Sequence, residues 1–237
     1  MSTRNIHLLM IDPQNDFCIA NGPGGEKGQL VVGGAEDDMN RLAPFITKNE
    51  KRIEEIHCTL DSHQSLHIAH SIMWVNSKGE HPPVYTTITA ADVRSGVWRA
   101  YNPRWQARLQ AYVDALEKNH RYVLMIWPPH CRIGTWGHSI VPVVADALIN
   151  WEVNRFNKVD FVAKGSNIFT EHYSGVMADV EDDKDITTKL NTDLIDILKV
   201  ADEVVITGEA LSHCVCNTVQ DIAKVFGPDN IKSTEEN

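Results

Sequence analysis

The stretch Ile6-His7-Leu8-Leu9-Met10-Ile11, followed directly by Asp12-Pro13, decides the fold. Its short and nearly continuous apolar run is typical of a strand that is buried on both faces of a parallel sheet. Apolar runs of similar length predict four further strands, at residues 53–60, 122–127, 159–163 and 203–207.

Helical patterns alternate with these strands. From Ala35 onward, an acidic first turn and apolar residues at helical spacing predict an amphipathic helix, which Pro44 is expected to bend or interrupt. Further helices are predicted after Cys214 and at residues 103–118, 143–151 and 193–198. This alternation implies an α/β fold, a three-layer sandwich with a mostly parallel central sheet and helices on both faces.

The composition limits the class of protein. The chain has 237 residues, 43% of them hydrophobic, so we expect a single domain over residues 1–237 with a buried core. The net charge is -10 and no Lys/Arg cluster interrupts the acidic balance, which argues against nucleic acid and anionic membranes as partners. The longest apolar runs are well short of the roughly 20 residues that span a bilayer.

The cysteines point to a reducing compartment. Their number is odd, and no apolar signal segment follows Met1, so we expect a cytoplasmic protein. Cys216 lies two positions after Cys214, where helical side chains point apart, and is expected to serve packing only.

Reactive side chains follow four of the predicted strands. In the order of those strands, they are Asp12, Asp61-Ser62-His63, Lys164 and Cys214. Ligands of an open parallel sheet bind outside the carboxyl ends of the strands, so these residues are expected to meet at one rim. That rim would hold a carboxylate, an ammonium group, a thiol and a possible metal site.

Cys214 is the candidate nucleophile. It begins a segment with one helical apolar stripe, which places the thiol near a helix N-terminus and is expected to favour the thiolate. A single cysteine is more often a small buried apolar residue. A nucleophile needs a proton acceptor and a positive charge nearby, however, and Asp12 and Lys164 offer both. We therefore favour a Cys-Asp-Lys triad.

Histidines and a carboxylate form a candidate metal site. Asp61-x-His63 is a two-ligand fragment, and His130 would complete a set of two histidines and one carboxylate with open positions. His67 and His70 follow at short spacing, and either would orient a ligand or a metal-bound water. At least one of the two is expected in a solvated turn instead.

Five motifs, in order along the chain, resemble those of one family. They are Met10-Ile-Asp12-Pro-Gln-Asn-Asp-Phe17-Cys18, Asp61-Ser-His63, Trp127-Pro-Pro-His130-Cys131, Lys164-Gly and Gly208-Glu-Ala-Leu-Ser-His-Cys214-Val. With these motifs the chain resembles the nicotinamidase branch of the isochorismatase-like cysteine hydrolases. Each motif is short, but five in the right order are together specific.

The resemblance implies catalytic roles. Asp12 would transfer protons, Lys164 would be its ammonium partner, and Cys214 would attack the amide to form a thioester. The N–H groups of Ala210 and Cys214 would form the oxyanion hole, after a cis peptide bond between Glu209 and Ala210. The implied reaction converts nicotinamide and water to nicotinic acid and ammonia.

The resemblance also implies a metal and a ring pocket. Asp61, His63 and His130 would hold a divalent metal, zinc in the first place, with iron or manganese as alternatives. The metal would bind the pyridine nitrogen and so orient the substrate. Phe17 and Trp127 would line the pocket for the ring.

Three features depart from the family pattern. Glu209 replaces a usually apolar residue. Its carboxylate would oppose formation of the thiolate if it faced the site, and the alternative is that it points outward into a hydrogen bond. An insertion at about residues 71–121 is expected to reshape the pocket or to form a contact in a homo-oligomer. The carboxyl end is apparently shortened, which is expected to expose a sheet edge.

Two alternative functions stay open. One is a different amide or ureide hydrolase of the same superfamily that needs no metal. The other is a catalytically weak binding or assembly protein that keeps the fold. A bound metal would count against the first alternative, and turnover of an amide would exclude the second.

Overall fold

The computed structural model describes residues 4–119 and 121–227. The strands of this part of the chain are β1 (Ile6–Ile11), β2 (Ile53–Asp61), β3 (Trp74–Val75), β4 (Thr87–Ile88), β5 (Arg99–Ala100), β6 (Leu124–Met125), β7 (Asp160–Lys164) and β8 (Glu203–Gly208). The central sheet has the order β7-β2-β1-β8, and all its neighbouring strands are parallel. The predicted parallel sheet is confirmed.

Helices cover both faces of this sheet. They are α1 (Asn15–Cys18), α2 (Ala35–Asn49), α3 (Ala90–Ser95), α4 (Gln106–Lys118), α5 (Pro142–Arg155), α6 (Thr192–Lys199) and α7 (Cys216–Phe226). The helices α2 and α5 share an apolar cluster with one face, and α6 and α7 share another with the opposite face. This is the predicted three-layer arrangement. Among the described residues, no helix is both long enough and apolar enough to cross a bilayer.

The strand β1 is the centre of both apolar clusters, and all six of its residues are buried. Leu8 and Met10 point to the face covered by α2 and α5, while Leu9 and Ile11 point to the face covered by α6 and α7. Because successive side chains of a strand alternate between its faces, a strand between two helical layers needs apolar residues at every position. This need explains the continuous run that the sequence shows.

The strand register brings the carboxyl ends of all four central strands to one rim. Asp61 of β2 lies beside Lys164 of β7, and Ile11 of β1 lies beside Gly208 of β8. Gly208 has a φ of +121°, and a Cβ atom there would lie 2.0 Å from the carbonyl oxygen of Ile11. Only glycine therefore allows the chain after β8 to pass so close to β1.

The predicted strand at residues 122–127 is wrong in extent and in place. The structure gives only β6, which pairs antiparallel with β4 and lies outside the central sheet. Pro128 and Pro129 follow directly and have no N–H group to continue a ladder. The segment still reaches the rim, because the N–H of Trp127 bonds to the carbonyl of Ala69.

Pro44 was expected to bend or interrupt α2, and it does not interrupt it, since the helix continues from Ala35 to Asn49. A proline inside a helix costs about 3 kcal/mol because it removes one hydrogen bond and crowds the preceding turn. The buried stripe of Met39, Leu42 and Ile46 offsets that cost.

The segment at residues 71–121, the expected insertion, builds a layer of its own. It contributes β3, β4, β5, α3 and α4 to a third apolar cluster, which also includes Ile68, Leu124 and Ile126. Trp127 packs against this cluster. The segment therefore supports one wall of the rim. The expected shortening of the carboxyl end concerns residues 228–237, which lie outside the described residues.

Two adjacent residues of α5 test the assignment of its buried face. Leu148 is 3% exposed inside the cluster with α2, and Ile149 is 56% exposed. We expect Leu148→Ala to lower the free energy of unfolding by about 2 to 5 kcal/mol, because it leaves a cavity. Ile149→Ala is the control and should change it by about 0.5 kcal/mol or less. Urea unfolding of both variants measures this difference, and equal losses would contradict the assignment.

Candidate active site

Cys214, Lys164 and Asp12 lie together in the buried rim. The Nζ atom of Lys164 is 3.6 Å from the Sγ atom of Cys214 and 2.9 Å from Oδ2 of Asp12. The other oxygen of Asp12 accepts a hydrogen bond of 2.6 Å from the hydroxyl of Thr59. The carbonyl of His172 accepts a further bond from Lys164 at 3.0 Å. The three groups predicted for a triad are thus in contact range.

Each of these side chains is held by the end of an element. Asp12 directly follows β1 with a φ of 49°, a left-handed conformation that Asp tolerates better than most residues. Lys164 is the last residue of β7. Cys214 lies in a π-helical turn, Leu211–Val215, that leads into α7. π-helical turns are rare and often occur at functional sites.

The protonation of Cys214 differs from the sequence-based expectation. Burial raises the pKa of the thiol well above its usual value, and Asp12 and Asp61 add to this although Lys164 opposes it. In the resting site, burial and the two carboxylates thus outweigh the groups that were expected to favour the thiolate. Burial also raises the pKa of Asp12, which makes that carboxylate a better proton acceptor.

Asp61, His63 and His130 form a second cluster that shares Asp61 with the first. Oδ1 of Asp61 accepts a bond from Lys164 at 3.2 Å. Its Oδ2 lies 2.9 Å from Nε2 of His63 and 3.2 Å from Nε2 of His130. The potential ligand atoms of the three residues all lie within 4.8 Å of one another, and all three residues are buried.

The imidazole rings of this cluster are oriented as metal ligands usually are. The Nδ1 atom of His63 lies 3.0 Å from the carbonyl oxygen of Gly165. The Nδ1 atom of His130 lies 2.8 Å from the carbonyl oxygen of Pro128. Because a carbonyl oxygen only accepts, each Nδ1 must carry a proton, so Nε2 is the ring atom of each histidine that faces Asp61 and that a metal would bind. Although burial lowers it, the pKa of His63 is raised by Asp61 to about 9, and a metal would replace the proton on its Nε2. Such hydrogen bonds fix the tautomer of metal-binding histidines. The donor set therefore fits a divalent metal.

A second group of potential ligand atoms comes from His63, His67 and Glu171. His67, however, already uses both ring nitrogens: Nε2 lies 3.2 Å from the carbonyl of Thr170, and Nδ1 accepts from the N–H of Ala69 at 3.3 Å. The first group is therefore the better candidate. Both His67 and His70 are fully buried, so the expectation of a solvated turn is wrong.

Polar residues of the first motif hold the loops that carry these ligands. The side chain of Gln14 both accepts from the N–H of Asp61 at 2.7 Å and donates to its carbonyl at 2.8 Å. Asp16 accepts from the N–H of Cys131 at 2.6 Å, directly after His130. These contacts account for the polar residues that follow β1.

A cavity of about 220 Å³ opens beside Cys214 and the metal-type cluster. Its walls include the rings of Phe17, Trp127, Tyr173 and His213. The indole N–H of Trp127 donates to the hydroxyl of Tyr173 at 2.9 Å. At about 30 Å³ per water molecule, the cavity has room for a single aromatic ring with a short substituent.

The far side of the cavity carries the predicted cis peptide bond. The bond between Glu209 and Ala210 is cis, as predicted. Ala210 and Cys214 both line the cavity. The backbone N–H groups expected to form an oxyanion hole therefore belong to residues of the same wall.

Known proteins resemble this chain over most of its length. A curated nicotinamidase of Saccharomyces cerevisiae is 26% identical over 220 residues, which are 92% of this chain and 81% of that protein. A solved yeast nicotinamidase, bound to the inhibitor nicotinaldehyde, has a TM-score of 0.60 at 23% identity and covers 93% of this chain and 82% of its own. The chain thus resembles a nicotinamidase over most of its length and shares the fold of the solved nicotinamidases. This confirms the resemblance indicated by the motifs.

A third relative is solved with a metal. It is a pyrazinamidase of Pyrococcus horikoshii in complex with zinc, with a TM-score of 0.50, 20% identity and coverage of 93% of this chain and 79% of its own. No protein-family model matches the chain.

Glu209 is directed away from the cavity. It is buried but does not line the cavity. Burial, with Asp38 of α2 close by, raises the pKa of its carboxyl group to about 7. The expected conflict with the thiolate is therefore avoided, because Glu209 faces α2.

Sequence reasoning missed several residues of the cavity lining, among them Glu171, Tyr173 and His213. His213 precedes Cys214, and its ring lies 5.5 Å from that of Trp127 and 5.3 Å from that of Tyr173. Glu171 and Tyr173 follow β7 within a loop that has no periodic pattern. Their position after a strand that ends in Lys164 is the only signal that would have indicated them.

Gly165 tests the fit between the two clusters. Its φ is +77°, and a Cβ atom there would lie 2.8 Å from Oδ1 of Asp61 and 2.9 Å from Cε1 of His63. Gly134→Ala is a matched control, because Gly134 has a φ of +83° and nothing within 4 Å of its Cβ position. The free energy of unfolding of both variants should fall by about 1 to 2 kcal/mol, because alanine is strained in a left-handed backbone conformation. For Gly165→Ala it should fall by about 1 to 3 kcal/mol more, because the added Cβ atom crowds Asp61 and His63.

Urea unfolding of the two glycine variants measures this difference. Equal losses of unfolding free energy would show that the space beside Asp61 is not needed.

Proposed function

We propose that this protein is a cysteine-dependent amidase that hydrolyses nicotinamide to nicotinic acid and ammonia. The single observation that carries the proposal is the 3.6 Å contact between Cys214 and Lys164 at the wall of an aromatic cavity. The relation to a curated nicotinamidase over 92% of the chain supports the choice of substrate.

In the first step, Asp12 accepts the proton of the Cys214 thiol. The raised pKa of Asp12 favours this transfer, while the positive charge of Lys164 opposes the burial that raises the pKa of the thiol. The sulfur then forms a bond to the amide carbon, and the carbonyl π electrons move to the oxygen. The N–H groups of Ala210 and Cys214 would stabilise that oxyanion. Lys164 keeps the buried negative charge compensated throughout.

In the second step, the tetrahedral adduct collapses to a thioester. The carbon–nitrogen bond breaks, and the leaving nitrogen takes the proton held by Asp12, so that ammonia departs. Water then attacks the thioester while Asp12 accepts its proton. The carbon–sulfur bond breaks, the acid is released, and the proton returns to Cys214.

We propose that Asp61, His63 and His130 hold a divalent metal, with zinc as the first choice. Their buried donor set of two imidazoles and one carboxylate supports this assignment, as does the zinc in the relative from Pyrococcus horikoshii. When bound, the metal would supply a Lewis-acid contact to the pyridine nitrogen of the substrate. Phe17 and Trp127 would then confine the ring on the cavity wall.

We further propose one catalytic domain in a reducing, cytoplasmic setting. All five cysteines are free thiols in the structure, which agrees with such a compartment. The proposed partner is a small-molecule amide, since the cavity is too small for a macromolecular chain.

Ammonia release from nicotinamide by the purified protein tests the reaction. We expect Cys214→Ala to lower kcat/KM by about three orders of magnitude or more, because no other group can form the thioester. Cys216→Ala is the matched control and should keep nearly full activity, since Cys216 lies outside the cavity lining. Mass spectrometry of a quenched wild-type reaction should show the acyl-enzyme. If the wild type releases no ammonia, the proposal is wrong.

Benzamide tests what the metal does, because it has the shape of nicotinamide without the pyridine nitrogen. We expect the metal-loaded protein to prefer nicotinamide, and a chelator to raise the KM for nicotinamide while changing benzamide turnover little. Zinc added back should restore the preference. An equal loss of both activities on chelation would contradict an orienting role.

A further inference from the structure

His70 is a buried histidine that the proposed mechanism does not use. It is fully buried, and its Nε2 atom has no hydrogen-bond partner among the described residues. A buried polar atom without a partner costs about 1 to 3 kcal/mol. An unpartnered ring nitrogen at this position therefore needs a ligand or a water molecule to explain it.

The tautomer of His70 follows from its other ring nitrogen. Nδ1 lies 3.2 Å from the carbonyl oxygen of Ser65, and a carbonyl oxygen only accepts, so Nδ1 carries the proton. Nε2 then has a free lone pair. This is the pattern of His63 and His130, whose Nδ1 atoms also donate to backbone carbonyls. His67 differs, because both its nitrogens are engaged with the backbone.

The surroundings of His70 place it next to the metal-type cluster. Its ring centroid lies 5.5 Å from that of His63 and 6.1 Å from that of His130. The backbone holds this arrangement, because the N–H of His70 bonds to His67 and the N–H of Trp127 bonds to Ala69. The turn of His70 and the loop of His130 are therefore tied together.

His70 does not belong to the group of ligand atoms that lie within 4.8 Å of one another. Its ring nevertheless lies beside those of His63 and His130, which is consistent with a contact through one water molecule. We propose that His70 is a positioning residue of the metal centre, whose Nε2 would accept a hydrogen bond from a water bound to the metal that Asp61, His63 and His130 would hold. The inference rests on the metal site of the proposed function.

Zinc affinity is the readout that tests this role. We propose to titrate metal-free wild type and His70→Leu with zinc alone, in competition with a chromophoric chelator. Loss of an outer partner of a metal site typically weakens affinity about 10- to 100-fold, and we expect that range for His70→Leu. His81→Leu is the control, since His81 is an exposed histidine of the same region and lies outside the cluster.

The thermal stability of the metal-free proteins separates this role from a structural one. His70→Leu removes an unpartnered polar atom but also the hydrogen bond from Nδ1 to Ser65, so the two effects oppose each other and the metal-free variant should stay within about 1 kcal/mol of metal-free wild type. Only the stabilisation by added zinc should shrink. His70→Gln keeps a polar side chain and should also weaken zinc binding. It provides the test if His70→Leu does not fold.

The outcomes distinguish the inference from the proposal on which it rests. If the wild type binds zinc and both His70 variants bind it with the same affinity, the role of His70 is overturned and the metal site itself stands. An unstable metal-free His70→Leu with wild-type zinc affinity in His70→Gln would mean packing only and also overturn it. A wild type that does not bind zinc would overturn the metal site itself.

Discussion

Asp61 is the residue on which the rest of the site depends. One of its carboxylate oxygens accepts from Lys164, and the other lies between the imidazoles of His63 and His130. The same carboxylate thus joins the ammonium group beside Cys214 to the cluster that fits a metal. It lies at the end of β2, beside Lys164 across the sheet. The parallel register therefore determines the spacing of both clusters.

Burying this many charges is costly unless they compensate one another. Asp12, Asp61 and Lys164 are all nearly inaccessible to solvent, and an isolated ion in such a place would become neutral. Lys164 lies between the two carboxylates, which raise its pKa well above the usual value against the effect of burial. Against the effect of burial, Asp61 raises the pKa of His63 to about 9, so either a proton on that imidazole or a divalent metal bound to neutral histidines would compensate the negative charge that Lys164 leaves. The electrostatics of the site therefore require a positive charge beside Asp61.

The sequence indicated the chemistry well because the chemistry lies at strand ends. Asp12, Asp61, Lys164 and Cys214 were expected at one rim, and the structure brings them there. His130 was placed by its motif, although the strand predicted before it is short and lies outside the central sheet. Glu171, Tyr173 and His213 were missed, since no periodic pattern marks residues that line a cavity from loops.

By itself, the sequence determined the buried strands, the helical faces and the identity of the reactive groups. These depend on local patterns: an apolar run such as residues 6–11 needs two covering layers, and the ends of parallel strands meet at one rim. Only the tertiary structure decided the protonation of Cys214, the outward direction of Glu209 and the difference between His67 and His70. Burial, hydrogen-bond partners and charges distant in the chain determine these properties, and a linear pattern does not contain them.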